Sequence, residues 1–385
     1  ENLPTRVIYP AGGVSHFNML RDNLRITLTH TRLVCGMVLR LPLLLWRKVF
    51  PRRTPADTHW ASLTERGSIL GLKIVAVCYR LLGERVAKLL LYPVVAYFVL
   101  TGGEARRASR DYFSRLRSYA GPDARLPEPG WGTTFRHLYA FAESGLHKFA
   151  AWTGQIDPAG VDFPNRAEFE ALVAGGKGAL LIGAHLGNLE MTRALASINR
   201  LATVNAVVYS EHAPRFQRIL ARASGHFDVN LIQVPNLGPD TMILLKDKVE
   251  RGELLVIVGD RTPPGDSGRV CMADFLGAPA PFAQGPFILG ALLDCPVYLF
   301  FCLKESDGYR IHLERFADRI ELPRPERDER LRGYVQRYAA RLQYYCLRAP
   351  YQWFNFYNYW FAGPAAVMSA DRHDPEKKET HASQD

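Results

Sequence analysis

The chain has 385 residues, with 48 Lys and Arg against 38 Asp and Glu for a formal charge of +10; 48% of residues are hydrophobic and 22% charged. Such values exclude wholesale disorder and a polytopic membrane protein, and the length is ample for one large domain or two modest ones. The charge is uneven. Residues 1–150 carry 22 basic and 10 acidic side chains, whereas the remainder is close to neutral. An anionic surface, nucleic acid or lipid, is therefore expected to meet one end of the molecule.

The chain opens on Glu1 rather than Met, which fits a processed chain or a fragment, and the N-terminus shows no secretory signal pattern. No stretch reaches the roughly 18–20 uncharged apolar residues of a spanning helix. Two come partway: Leu33 to Trp46, interrupted by Arg40 and Pro42, and Leu89 to Leu100, which contains Pro93. Short apolar helices with basic flanks suit a segment lying in a bilayer interface, although buried core helices with basic ends share the pattern. Glu104 to Tyr119 follows as a basic helix with Ala105, Tyr112, Phe113 and Leu116 on one side. It has neither a nucleic-acid-binding motif nor interleaved aromatics for stacking, so no nucleic-acid partner is expected. The Pro/Gly-rich stretch Gly121 to Gly132 reads as a loop.

From about residue 166 short β-rich runs alternate with helical segments. Strands are expected at 179–184, 203–209, 229–234, 254–258, 296–302 and 309–313, with helices near 188–199, 212–224, 239–250 and 285–294. Leu331, Tyr334, Val335, Tyr338, Leu342 and Tyr345 mark a further helix that packs one face on the sheet. The fold class is therefore α/β: a largely parallel central sheet flanked by helices, preceded by N-terminal membrane-associated helices. The tail beyond Gly363 is polar and is expected to be disordered.

Several common chemistries are absent. There is no Gly-x-Ser-x-Gly elbow, no phosphate-cradling Gly-x-x-x-x-Gly-Lys, and no His-Glu-x-x-His. Cys35, Cys78, Cys271, Cys295, Cys302 and Cys346 include no Cys-x-x-Cys pair, and most sit in apolar runs as expected of buried free thiols. No metal site is expected. The distinctive segment is GAHLGNLE, Gly183 to Glu190. His185 directly follows an apolar strand, where α/β proteins place reacting groups. Glu190 lies about 140° further round a helix, so the two meet only if His185 precedes the first turn with its ring folded back. A neutral imidazole oriented by a carboxylate can take a proton from an acceptor hydroxyl or amine, which then attacks an acyl thioester without a protein nucleophile.

HLGNLE resembles the His-x-x-x-x-Asp/Glu signature of the lysophospholipid acyltransferase superfamily, in the Gly-Asn form of bacterial lipid A acyltransferases. The likeness extends through GDRTP (259–263), FLGAPAPFAQGPFILG (275–290), CPVYLFF (295–301) and APYQWFNFY (349–357). With HWASLTERGS (59–68) and the 97–113 run, it is nearest to the type encoded with aryl-polyene pigment or related lipid clusters. The resemblance implies His185 and Glu190 as the catalytic dyad, with Asn188 supporting the dyad or the substrate. It places Asp260 and Arg261 at the substrate; Arg261 would meet a phosphate or the thioester oxyanion, or form a structural salt bridge. Phe275, Gly277, Gln284 and Gly285 would line the acyl-chain path, unless that segment is simply a loop and a buried helix. The implied donor is an acyl thioester of acyl carrier protein or coenzyme A, with no tightly bound cofactor. The implied acceptor is a membrane lipid or glycolipid, and the implied location is the cytoplasmic face of a bacterial inner membrane. One departure from lipid A enzymes is visible: Gln352-Trp353 leads into the uncharged aromatic run FNFYNYWF, which favours a less anionic acceptor.

Residues 1–58, with PTRVIYPAGGVSHFNMLRDNLRITLTHTRL, resemble the C-terminal end of a family-2 glycosyltransferase. The expected organisation is thus 1–58 as that tail with an interfacial helix, 59–363 as the acyltransferase-like domain, and 364–385 as the tail. The competing function class is a non-catalytic lipid-binding or scaffold module of a glycosyltransferase–acyltransferase fusion.

Overall fold

The computed structural model describes residues 69–152, 160–189, 203–208, 229–233, 238–262, 270–306 and 308–360. The chain divides into two units, residues 1–57 and 58–385. The first unit, with the apolar run 33–46, lies outside the described residues. So do the tail beyond 360, the helical segment expected near 212–224 and nearly all of that near 188–199.

Three helices open the described chain: α1 (Ile69–Thr101), α2 (Gly103–Ala120) and α3 (Trp131–Trp152). There follow β1 (Val161–Asp162), α4 (Arg166–Ala174), β2 (Ala179–Gly183), β3 (Val204–Val208) and β4 (Val229–Gln233). Next come α5 (Pro239–Glu250), β5 (Leu254–Val258), β6 (Val270–Phe275), β7 (Ala278–Ala283) and α6 (Gly285–Leu293). The last elements are β8 (Val297–Glu305), β9 (Gly308–Ala317) and α7 (Arg327–Arg348). The sheet has seven strands in the order β1-β9-β8-β2-β5-β3-β4. Strands β8, β2, β5, β3 and β4 run parallel, and β9 joins β8 as an antiparallel hairpin. The expected mixed α/β fold with a mostly parallel sheet is what the chain adopts, and all six expected strands are present.

Both faces of the sheet are covered, which explains why its strands read as unbroken apolar runs. Leu180 and Ile182 of β2, with Val297, Leu299, Phe301 and Leu303 of β8, join a core containing α2, α5, α6 and α7. Ala179, Leu181, Tyr298, Phe300 and Cys302 alternate to the opposite face, against Phe169, Leu172 and Val173 of α4. The helix expected from Leu331 to Tyr345 is α7. Its Arg341 clamps Glu314 of β9 through both carboxylate oxygens, a fork matched to that geometry.

The segment 275–290 forms more than a loop and a helix. β6 and β7 make a two-stranded antiparallel ribbon turned at Leu276 and Gly277, both with positive φ, and α6 follows. Pro279 and Pro281 have the same parity in β7, so their missing N–H groups fall on its unpaired edge. On the other edge Gln336 of α7 receives the Asp274 N–H and donates to its carbonyl, completing the ladder with a side chain.

The N-terminal helices are anchored to this sheet. α1 bends at Gly83 (φ 82°) and continues through Pro93. Ala87, Leu91, Val95 and Val99, four residues apart, are buried, largely against α3. The anchor is polar: Lys88 of α1 (3.0 Å) and Lys304 of β8 (2.7 Å) share Glu143 of α3. His147 of α3 lies 3.1 Å from Glu84 and 2.7 Å from the Tyr309 hydroxyl.

At the centre of the sheet the Tyr338 hydroxyl of α7 donates to the Gly183 carbonyl at 2.8 Å, and that carbonyl also accepts the Gly259 N–H at 2.9 Å. Tyr338→Phe leaves the buried carbonyl with one donor fewer. It is expected to lower unfolding free energy by about 1–2 kcal/mol, measured by denaturant titration.

Candidate active site

The site is a product of strand register. Gly183, the last residue of β2, pairs with Val258, the last residue of β5. Two residues further along each chain stand His185 and Asp260, so aligned strand ends bring the two side by side. His185 Nδ1 lies 2.8 Å from Asp260 Oδ1, and the His185 backbone N–H donates to Asp260 Oδ2 at 2.9 Å. Because a carboxylate only accepts, the ring proton sits on Nδ1 and the lone pair on Nε2. Asp260 is 1% exposed, whereas 29% of the His185 side chain remains accessible.

The rest of the GAHLGN segment is wedged into the fold. Leu186 bridges to Trp353 and Gly187 to Cys302. Gly187 has φ +70°, and a Cβ there would come within 2.0 Å of the Cys302 carbonyl, so any side chain would push the loop off the sheet. The Phe354 N–H donates to the His185 carbonyl at 2.8 Å, and the Gly187 N–H to that of Gln352. The Gln352 side chain in turn bonds both backbone groups of Lys304. The APYQWFNFY block is thus the outer wall that fixes the histidine loop.

A second carboxylate contact comes from that wall. Trp353, fully buried, donates its indole N–H to Asp260 Oδ2 at 3.0 Å. Three donors on one carboxylate stabilise its ionised form. Although burial alone would raise it, the charge and hydrogen bonds of His185, with Arg261 nearby, hold the Asp260 carboxyl below the usual range. Burial lowers the affinity of His185 for a proton and Arg261 lowers it further, outweighing the opposing pull of Asp260. The imidazole is therefore neutral at neutral pH, the form a general base requires.

The other residues implicated by the sequence take separate places in the fold. Arg261 is the electrostatic neighbour just described. Asn188 is buried; its backbone N–H donates to the Cys302 carbonyl and its side chain bonds Tyr309, with a longer contact to the Ser144 carbonyl. It therefore ties the loop to α3 and β9. Phe275 is fully buried, stacked on Trp360 and edge-on to Trp353, which makes it packing beneath the indole. Gly277 forms the ribbon turn, while Gln284 donates to the Val270 carbonyl and Gly285 begins α6. Glu190 lies outside the described residues.

Asp260, expected at the substrate, thus stands beside the imidazole, and Trp353 joins it from outside the residues implicated by the sequence. A signal for Asp260 exists: ALLIGAH and LLVIVGD each run from an apolar strand through Gly to a titratable side chain. No comparable signal marks Trp353. Cys271, Cys295, Cys302 and Cys346 are free and buried, as expected, and burial raises the Cys271 and Cys295 thiols to about 11, so they are poor nucleophiles. Among the described residues no cluster of three or more His, Cys, Asp or Glu is arranged to hold a metal ion. Comparison of the chain with models of known protein families and with curated proteins finds no match.

The charge balance can be tested by following the His185 ring signal through a pH titration by NMR. Asp260→Asn removes the attraction for the imidazolium and is expected to lower the midpoint, whereas Arg261→Gln removes a repulsion and is expected to raise it.

Proposed function

We propose that this protein is a membrane-surface acyltransferase, moving a fatty acyl group from a thioester of acyl carrier protein or coenzyme A to a hydroxyl or amine of a lipid or glycolipid. The observation that carries the reading is His185 Nδ1 held 2.8 Å from buried Asp260, with the ring partly accessible at the C-terminal ends of parallel strands. In this reading Nε2 accepts the acceptor's proton as the oxygen or nitrogen attacks the thioester carbonyl. Collapse of the tetrahedral adduct breaks the carbon–sulfur bond, and the departing thiolate takes the proton from Nε2. The ester or amide and the free thiol are the products. Asp260 steadies the transient imidazolium, Glu190 supplies the carboxylate of the His-x-x-x-x-Glu signature, and Arg261 would meet the oxyanion or a phosphate.

The membrane part rests on α1. Opposite its buried stripe, Leu89, Pro93, Tyr97 and Leu100 are exposed, so the helix is apolar on a second face that no described element covers. At its C-terminal end the guanidinium groups of Arg106 and Arg110 lie 4.9 and 5.2 Å from the ring centre of half-exposed Trp131. An apolar stripe ending in Trp and Arg matches the boundary between acyl chains and anionic headgroups. Among the described residues no single helix is long and apolar enough to cross a membrane; one pair, Gly83–Thr101 and Gly103–Ala120, qualifies only together and is bent by 92°. The reading therefore takes these helices as an interfacial anchor at the cytoplasmic face, where thioester donors are made.

His185→Ala is expected to cut thioester-dependent acyl transfer by about 10²–10⁴-fold with folding intact, measured by thiol release and acyl-product mass spectrometry. Full turnover in that variant contradicts the proposal. Absence of thioester consumption by the parent, with membrane binding intact, favours the scaffold reading. Independently, the double variant Leu89→Asp, Leu100→Asp is expected to lose binding to vesicles containing anionic lipid in flotation assays while remaining folded.

A further inference from the structure

A chain of hydrogen bonds, absorbed by no step above, leads from the helical layer to Asp260. His137 of α3 is fully buried, with Nε2 2.8 Å from the Trp353 carbonyl and Nδ1 3.0 Å from the Ser109 hydroxyl of α2. A carbonyl only accepts, so Nε2 carries the proton and Nδ1 accepts from Ser109. Burial lowers the His137 pKa to about 4, which keeps the ring neutral in this role. Every direction in the chain is thereby fixed: Ser109 to His137, His137 to the Trp353 carbonyl, the Trp353 indole to Asp260 Oδ2, and His185 to Asp260 Oδ1.

We propose that Trp353 is a positioning residue that sets the basicity of His185 through Asp260, and that His137 holds Trp353 in place for it. The indole N–H withdraws charge from Oδ2 and pins the carboxylate so that Oδ1 faces the imidazole. Aromatic neighbours pack round the indole: Tyr112, Phe275 and Tyr359 lie at ring-centre distances of 5.0, 5.3 and 5.0 Å. Among the described residues, the charged groups facing His185 are Asp260 and Arg261 after β5 and Lys148 of α3; the Tyr338, Tyr357 and Tyr359 phenols and the Cys346 thiol face Asp260. Burial raises those phenols and that thiol, so they stay uncharged across the working range. Loss of the indole donor therefore leaves more negative charge on Asp260, stabilises the imidazolium and raises the His185 pKa. The catalytic meaning of that shift rests on the acyltransferase reading; the shift itself does not.

The test is the His185 ring titration by NMR in the full chain, with His185→Gln assigning the signal. Trp353→Phe keeps the ring and removes the donor, and is expected to move the midpoint upward by about half a unit or more. His137→Leu is expected to move it the same way, and His137→Gln, which retains an N–H for the Trp353 carbonyl, to restore it. A residue that served packing alone would lower thermal stability without moving the midpoint, and an unmoved midpoint in folded Trp353→Phe overturns the proposal. If that variant does not fold, the parent supplies the same test. Its Trp353 indole N–H resonance, assigned by changing the other five tryptophans to Phe in turn, must move at the pH where His185 titrates, and a stationary resonance overturns the proposal. Loss of acyl transfer by the parent would instead count against the function, since the titration needs no turnover.

Discussion

The site depends on the alignment of two parallel strands. Because Gly183 and Val258 end β2 and β5 at the same level, the next residues but one, 75 positions apart in sequence, meet as an imidazole and a carboxylate. A shift of one residue in either strand would turn one of these side chains to the other face and dissolve the pair. The register is held from both sides of the sheet's end. Tyr338 and Gly259 bind the Gly183 carbonyl, while Phe354 and Gln352 bind the two sides of the histidine loop.

Around the pair the fold controls charge as well as position. A buried carboxylate costs several kcal/mol unless its oxygens are satisfied, and here three N–H donors converge on it. That allows Asp260 to remain ionised while almost fully enclosed, and an ionised Asp260 keeps the His185 proton on Nδ1. Partial burial and Arg261 oppose protonation at Nε2, so the ring is held in its basic form. The same wall that supplies the Trp353 donor is fastened to α2 and α3 through His137 and Ser109. The helices beside the exposed apolar stripe of α1 are thus in hydrogen-bonded continuity with the carboxylate.

Much of the sheet was legible because its strands are buried on both faces and so appear as short apolar runs between helical periods. The β6–β7 ribbon was not, since Pro279 and Pro281 argue against a strand wherever both edges are paired, and only the free edge of β7 tolerates them. His185 was legible from its place after an apolar strand. Glu190, the carboxylate expected beside it, lies outside the described residues, and sequence spacing speaks only of such local geometry. Asp260 reaches His185 through strand order, and Trp353 reaches Asp260 across 93 residues through a turn after α7. Neither distance leaves a periodic trace in the chain.

The proposed chemistry requires His185 to be neutral, protonated on Nδ1 and carrying its free lone pair on Nε2. Nitrogen-15 shifts of the His185 ring, recorded on the full chain above its titration midpoint, test this most directly. The expected result is a protonated, pyrrole-type signal at Nδ1 and an unprotonated, pyridine-type signal at Nε2. The opposite assignment, with the proton on Nε2, would leave no base facing an acceptor and would contradict it.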